Sequence, residues 1–129
     1  MAPAVARFGQ DTLAIGTPGA DRITSAMLQT LSAFMIGGAS LTQAIAAPRW
    51  HLEMALESDP LGYAAILHTE PGVHAAAPSG TLQRAHAAAG MYFGGVGAAQ
   101  TNSRSLSAVA VADPRRVGGT TIASPNTDL

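Results

Sequence analysis

The hydrophobic and polar positions along the chain first predict a strand hairpin that leads into a helix. Residues 4–8 and 12–16 have the pattern of strands, and residues 9–11 between them favour a tight turn. From Arg22 the apolar residues change to a helical period, which the glycines at residues 37–38 are expected to end. The junction between the second strand and this helix is therefore a short loop that contains glycine and proline.

The first predicted helix carries one apolar stripe, formed by Ile23, Met27, Leu31, Phe34 and Met35. This spacing places the side chains on one face, which we expect to pack into the core. Both methionines of the stripe are accordingly predicted to fill core space rather than to bind a ligand.

The next segment predicts a second, shorter helix followed by an extended stretch. Residues 40–43 (SLTQ) match a capping box, and Pro48 is expected to end the helix that they begin. Residues 49–53 then favour an extended conformation, with Trp50 and Leu52 on one face.

The second half of the chain predicts three further strands: residues 63–69, 91–99 and 106–112. A polar loop over residues 57–62 precedes the first of them. A short helix is expected over residues 81–89, because Gly90 is typical of a helix C-terminus. With the earlier elements the predicted order is ββααββαββ, which is typical of a mixed α+β layer structure.

Composition and charge narrow the classes of function. The chain has 129 residues, of which 47% are hydrophobic and 12% charged, as is typical of one globular domain. Its net charge is −1 and its seven basic residues, all arginine, form no basic stripe, so we expect neither a nucleic acid nor a membrane as partner. The sequence contains no cysteine, which excludes disulfides, thiolate metal sites and a cysteine nucleophile.

Side chains that could carry chemistry show few recognisable patterns. The histidines share no metal-ligand spacing, so we interpret them as isolated imidazoles and expect no metal and no cofactor: His51, His68, His74 and His86. No hydroxyl lies in a known nucleophile motif, and we expect none to have a paired base. Residues 113–116 (DPRR) are interpreted as a turn whose aspartate pairs with a nearby arginine. Residues 94–97 (GGVG) favour a bulge or close packing over a phosphate-binding loop.

The junction at residues 13–23 is the first candidate for a site. A strand, a tight turn and a helix start follow one another within eleven residues. Such a turn leaves backbone N–H groups unpaired at the positive end of a helix, where they can hold an anion or a developing oxyanion. A simple connection between two elements is the commoner use of this pattern, and both interpretations stay open at this point.

Four short motifs together resemble the γ-glutamyltransferase (γ-glutamyltranspeptidase) family. They follow the family's order and span most of the chain: residues 16–23 (GTPGADRI), 44–51 (AIAAPRWH), 93–96 (FGGV) and 112–116 (ADPRR). The resemblance implies a four-layer αββα sandwich of the N-terminal-nucleophile hydrolase type, with mostly antiparallel strands covered by helices. It also implies transfer or hydrolysis of γ-glutamyl groups, as in glutathione, by a threonine that a precursor exposes by cutting itself.

The resemblance places this chain in the later part of the family's small subunit. We expect residues 1–117 to be the C-terminal portion of that subunit and residues 118–129 to be a flexible tail. The nucleophile motif and the side chains that hold the glutamyl amino and carboxylate groups do not occur in the sequence. The expected partners are therefore a γ-glutamyl substrate and either the remainder of the enzyme (the large subunit and the N-terminal part of the small subunit) or a second copy of this chain.

Two residues carry over from the family's oxyanion-hole loop: Gly19 and Ala20, as backbone N–H donors. Ala20 replaces the second glycine of that loop but keeps its N–H, provided that the local backbone does not require a positive φ angle. By itself the chain is expected to be inactive, because the nucleophile lies elsewhere.

Two alternatives to this function remain. One is a truncated, non-catalytic homologue that acts as an interaction module through its sheet edges. The other is a cephalosporin-acylase-like specificity on the same scaffold. Members of the family are commonly periplasmic, secreted or surface-anchored.

Overall fold

The computed structural model describes residues 1–54, 62 and 64–124. Helices and strands follow one another in this order: β1 (Ala2–Phe8), β2 (Asp11–Thr17), α1 (Arg22–Met35), α2 (Leu41–Ala46), β3 (Trp50–Met54), β4 (Ala65–Thr69), β5 (Thr81–Ala85), β6 (Gly97–Asn102), β7 (Ser107–Ala112) and β8 (Thr120–Ala123). None of the helices in this described part combines the length and apolar character of a membrane-spanning segment.

The strands form two sheets. The five-stranded sheet has the order β1-β2-β6-β7-β8, and all of its neighbouring strands are antiparallel. The three-stranded sheet has the order β3-β4-β5, in which β4 is antiparallel to β3 and parallel to β5. The predicted α+β architecture of mostly antiparallel strands is confirmed.

The two helices cover one face of the five-stranded sheet. Alternate residues of β2, β6 and β7 pack there against helical side chains and a loop valine: Leu13, Ile15, Ala26, Leu41, Ile45, Val96, Ala98 and Val111. Removing these apolar side chains from water is the main force that holds the helices on the sheet.

The opposite face of the five-stranded sheet, called here the outer face, carries small side chains. One row across it consists of Val5, Ala14, Ala99, Ala110 and Thr121, which are paired in register and all exposed. They project away from the core because successive residues of a strand alternate between faces. No other part of the described chain covers this row.

The first helix has the predicted start and apolar stripe, with one exception. Met27, Leu31 and Phe34 pack against the core, and the ring of Phe34 meets that of Phe8 edge to face at 5.9 Å. Met35 is 51% exposed, so the prediction that it fills core space is wrong. Phe34 takes the inward position in the last turn, which turns its neighbour towards solvent.

The second helix and β3 agree with the sequence. The Gln43 amide donates to Ser40 Oγ at 3.2 Å and the Ser40 amide donates to Gln43 Oε1 at 2.9 Å, which is the predicted capping box. Trp50 and Leu52 share one face of β3 and are 38% and 39% exposed, whereas His51 between them is buried. The polar residue thus points inward on this strand.

The helix predicted over residues 81–89 is wrong. Thr81–Ala85 instead form β5 along β4, and the His86 amide continues the pairing by donating to the Thr69 carbonyl at 2.8 Å. The segment has good local helix propensity. Hydrogen bonds to the otherwise free edge of β4 outweigh that preference, because unpaired backbone groups are costly.

Two further predictions need correction near the C-terminus. In place of the first half of the strand predicted over residues 91–99, Met91–Phe93 form a 3₁₀ turn, and Gly94 follows with φ +78°, which interrupts the extended run. Residues 120–123, in the segment expected to be a flexible tail, form β8 on the free edge of β7. Threonine and isoleucine in this segment favour such pairing.

One predicted element cannot be compared with the structure. The polar loop over residues 57–62 lies outside the described residues except for Gly62, as does Tyr63 at the start of the strand predicted over residues 63–69.

Candidate functional site

The loop between β2 and α1 places two backbone N–H groups at the start of a helix. The carbonyl oxygens of Gly19 and Ala20 accept from the amides of Arg22 (3.0 Å) and Ile23 (3.1 Å), which closes the first helical turn. Among the described residues, the amides of Gly19 and Ala20 donate to no other backbone group. They lie at the end of the helix where the dipole favours negative charge.

Both residues have positive φ angles, +141° at Gly19 and +49° at Ala20. Glycine adopts such angles freely, but for alanine the left-handed conformation costs about 1–2 kcal/mol. The condition that the local backbone should not require a positive φ at Ala20 is therefore not met. Ala20 nevertheless keeps its N–H, so the change from glycine adds strain without removing a donor.

Close packing fixes this loop against the segment before β6. A side chain at Gly19 would bring its Cβ to 3.4 Å from the Gly94 Cα, and one at Gly94 would lie 3.2 Å from Thr17 Oγ1 and 3.3 Å from the Ala26 Cβ. Two of the motifs quoted above, residues 16–23 and 93–96, thus meet backbone against backbone. The predicted close packing is confirmed at Gly94, whereas Gly97 has nothing within 4 Å of its Cβ position.

Four buried charged side chains form a network of ion pairs near the loop: Arg49, Glu70, Asp113 and Arg115. Arg49 Nη2 lies 2.7 Å from Asp113 Oδ2, and Arg115 Nη1 lies 3.1 Å from Asp113 Oδ1. Arg115 also forms a two-point ion pair with Glu70, of which the Nε–Oε1 distance is 2.7 Å. The four side chains are at most 2% exposed and their formal charges cancel.

This ionic network organises the backbone next to Gly94. Arg49 Nη1 donates to the Phe93 and Gly94 carbonyls at 3.4 and 3.2 Å, and the Val96 amide donates to Asp113 Oδ2 at 2.8 Å. Burial alone would raise the pKa of Asp113, but the backbone amides and Arg49 lower it below its usual range. The aspartate therefore stays ionised inside the fold.

The sequence predicted only part of this network. The local pairing of Asp113 with an arginine is confirmed, since Arg115 donates to it from both its amide and its guanidinium. The participation of Arg49 and Glu70 was missed. No spacing rule connects residues this far apart along the chain.

Three of the four histidines gather around Tyr92. His68 Nδ1 lies 3.0 Å from His86 Nε2, and the rings of His68 and His86 are 4.7 and 4.9 Å from that of Tyr92. His51 approaches the same ring edge to face at 6.4 Å. The interpretation of the histidines as isolated imidazoles is wrong for these three, while His74 is exposed.

Glu53 connects this aromatic group to the start of α1. Its Oε2 accepts from Tyr92 Oη at 2.9 Å and lies 3.1 Å from His68 Nε2. Arg22 stacks over the Tyr92 ring at 4.3 Å and lies 3.6 Å from the same carboxylate oxygen. The hydrogen bond from Tyr92 lowers the pKa of Glu53, and burial lowers that of His68. Among the described residues, no group of three or more possible ligands is arranged to hold a metal ion.

A second polar pair ties α1 to β3. Ser25 Oγ lies 2.8 Å from His51 Nδ1, so the expectation that no hydroxyl has a paired base is wrong. No carboxylate in the described part of the chain hydrogen-bonds to His51, and such a third group is what orients the imidazole in a catalytic triad. We therefore assign the pair to the attachment of α1.

One weak signal for these side chains is visible in the sequence. Strand alternation puts His51 and Glu53 on the same face of β3, and the register then places His68 opposite His51. Arg22 and Tyr92 carried no signal, because only the packing of α1 and the 3₁₀ turn brings them together.

Comparison with known proteins gives a consistent result. The sequence model of the family described as gamma-glutamyltranspeptidase matches residues 1–123. No curated protein matches the chain.

Solved structures of this group share the fold. The Bacillus anthracis transpeptidase enzyme CapD is 25% identical with a TM-score of 0.68, over 92% of this chain and 68% of CapD. Gamma-glutamyltranspeptidase from Pseudomonas nitroreducens complexed with L-DON is 22% identical with a TM-score of 0.62, over 89% and 57%. A mutant of the Helicobacter pylori enzyme is 19% identical with a TM-score of 0.53, over 99% and 61%. The architecture is thus that of N-terminal-nucleophile hydrolases, as expected, and this chain spans 57–68% of these solved chains.

Proposed function

Because this chain belongs to the γ-glutamyltranspeptidase family, we propose that it supplies the oxyanion-hole loop of an enzyme that transfers or hydrolyses γ-glutamyl groups, as in glutathione. The observation that carries the proposal is the pair of successive amides, Gly19 and Ala20. Within the described residues they bond to no other backbone group, and they stand at the N-terminus of α1. Two donors in this arrangement suit an oxygen that becomes negatively charged.

The proposed chemistry is addition to the γ-carbonyl group. A nucleophile bonds to the carbonyl carbon, and the carbonyl oxygen takes up the electron pair as an oxyanion. The N–H groups of Gly19 and Ala20 donate to that oxygen and so stabilise the transition state more than the bound substrate. By the family resemblance, the nucleophile is a threonine outside these 129 residues, which holds the glutamyl group as an ester until water or an amine accepts it.

The packing around the loop supports this role. Gly19 contacts Gly94, whose carbonyl is held by the buried Arg49, and Arg22 is stacked on Tyr92. Donors that are fixed before the reaction need no reorganisation when charge develops. The contacts of Gly19 and Arg22 fix the loop at both of its ends and so meet that requirement.

The outer face supports the proposed partner, the remainder of the enzyme. Its row of small, exposed side chains is of the kind that packs against a second sheet at about 10 Å. In the proposed assembly a sheet from the rest of the enzyme lies there and completes the sandwich.

The most direct test removes one N–H and keeps the side chain. Replacing Ala20 by lactic acid converts its amide into an ester and allows φ to remain positive. In the complete enzyme we expect kcat to fall about 10²–10³-fold. Proline at this position would be a poorer probe, because it fixes φ at about −65° whereas Ala20 has φ +49°.

Ala20→Gly is the matched control for this experiment. Glycine keeps the N–H and accepts a positive φ, so kcat should be maintained. Undiminished turnover in the ester variant would refute the oxyanion-hole role. A complete enzyme that turns over no γ-glutamyl compound at all would favour the interaction-module alternative.

A further inference from the structure

The strand β5 is attached at its C-terminal end by a histidine. It lies at the edge of the three-stranded sheet, where it pairs with β4, and three of its five residues are exposed. His86 follows directly: its amide donates to the Thr69 carbonyl, and its ring lies 4.9 Å from the rings of both Tyr92 and Phe93. Parallel pairing is slightly less stable per residue than antiparallel pairing, so we expect the packing of His86 to matter for the attachment of β5.

The contact between His86 and His68 needs one hydrogen atom between two nitrogens. His68 Nδ1 lies 3.0 Å from His86 Nε2, so one of these atoms carries a hydrogen and the other offers a lone pair. The carboxylate of Glu53, 3.1 Å from the opposite nitrogen of His68, favours a proton on that opposite nitrogen. His68 Nδ1 is then the acceptor and His86 Nε2 the donor.

This contact tolerates one additional proton but not two. A first proton on His86 Nδ1 leaves the two facing nitrogens as they were. When both imidazoles are protonated, each facing nitrogen carries a hydrogen and neither has a lone pair. Two positive charges then stand at hydrogen-bond distance without a bond between them.

The surroundings of the pair do not compensate a second positive charge. The charged and titratable side chains that surround it come from every neighbouring element: Glu53 and His51 on β3, Arg84 on β5, Tyr92 in the 3₁₀ turn, and Arg22 on α1 over the Tyr92 ring. Glu53 is the one carboxylate in this set, and Arg22 already lies 3.6 Å from it. His68 is only 2% exposed, and its burial lowers its pKa below the ordinary value of 6.5.

We propose that the pair formed by His68 and His86 is a pH-sensitive switch that holds β5 on β4 while at least one imidazole is neutral and releases β5 when both are protonated. Release removes the His86 ring from Tyr92 and Phe93 and exposes the edge of β4. None of the switch residues belongs to the proposed oxyanion hole, so the switch can exist whether or not the chain serves γ-glutamyl transfer. The five-stranded sheet contains none of them either and should stay folded when β5 opens.

The test is amide hydrogen exchange of the 129-residue chain, followed by NMR between about pH 7 and 5 and corrected for the intrinsic exchange rate. Protection of the His86 amide should fall by up to about tenfold per pH unit below the native pKa, because opening takes up a proton. The amides of β6, in the other sheet, are the internal reference and should keep their protection. An equal loss at β6, or protection at residue 86 that does not fall, overturns the proposal.

Two variants remove one imidazole each. A side-chain amide can present either an N–H or an oxygen to the remaining histidine, so His86→Gln and His68→Asn should abolish the pH dependence at residue 86. His68→Asn keeps the packed ring of His86 and decides the question if His86→Gln detaches β5 at every pH. His74→Gln changes an exposed histidine and should retain the full pH dependence. A pH dependence that persists in both variants of the pair refutes the switch.

Discussion

Ala20 occupies a backbone conformation that glycine adopts at much lower cost. Its φ angle of +49° lies in the left-handed region, and it directly follows Gly19 at +141°. Strained residues persist where the surrounding structure fixes them, and here the packing of Gly19 on Gly94 and the start of α1 do so. The strain lies at the proposed oxyanion hole.

We therefore expect Ala20→Gly to stabilise the fold. Relief of the left-handed alanine is partly offset by the greater freedom of glycine in the unfolded chain, which leaves a net gain of about 0.5–1 kcal/mol. Urea unfolding followed by circular dichroism measures this free energy. Ala46→Gly, at an exposed position of α2, is the control and should lower stability instead. An equal loss of unfolding free energy in Ala20→Gly and Ala46→Gly would contradict the proposed strain at Ala20.

At the scale of elements, polar side chains attach the three-stranded sheet to α1. The Gln29 side chain accepts from the Trp50 amide at 3.0 Å and donates to the Trp50 carbonyl at 2.8 Å, as a neighbouring strand would. Ser25 Oγ lies 2.8 Å from His51 Nδ1 one residue further along β3. His51 is the buried, titratable member of these contacts, so the attachment depends in part on its protonation.

This attachment should weaken in mild acid. Burial lowers the pKa of His51 and of His68 below the ordinary value of 6.5, so the unfolded chain takes up protons before the native one does. The stabilising contribution is complete above pH 6.5 and is lost as the pH falls through the native pKa values. We expect the urea midpoint to fall steadily as the pH is lowered from about 7 to 5.

The control for this prediction is a pair of histidine variants. His68→Gln should flatten the pH dependence of the urea midpoint, whatever its effect on stability at neutral pH. His74→Gln changes an exposed histidine and should leave the slope as it is. A urea midpoint that does not depend on pH in the chain without substitutions would contradict the idea that burial lowers the pKa values of these histidines.

At the scale of the whole molecule, the outer face of the five-stranded sheet has no covering element among the described residues. Val5 is 72% exposed in its row, and its neighbours there are alanine or threonine. A contiguous surface of this kind on a sheet is typical of an interface. In the proposed enzyme, the remainder of the protein covers it.

The isolated chain should consequently self-associate and bind a hydrophobic dye. Ala99→Glu places a charge on β6 in the middle of the outer face and should shift the sedimentation profile towards the monomer. Ala87→Glu adds the same charge at an exposed site outside both sheets and should not. If the chain without substitutions is monomeric and binds no hydrophobic dye, the result would instead favour an independent module.

The sequence by itself determined four features of the fold, because their signals are local: the hairpin, α1, the capping box of α2 and the strand β7. Each depends on turn residues, capping or periodicity within a few positions of the chain. The motifs also determined the family, because their order is visible without any contact between them.

Only the tertiary structure decided the rest. Residues 81–89 became a strand because β4 offered an unpaired edge, which outweighed local helix propensity. Arg49 and Glu70 meet Asp113 and Arg115 only in the folded chain, where the four buried charges neutralise one another, and no spacing along the chain encodes that meeting. Likewise the stem of Arg116 packs at Gly95, where a side chain would leave no room for it, and only the fold brings these two residues together.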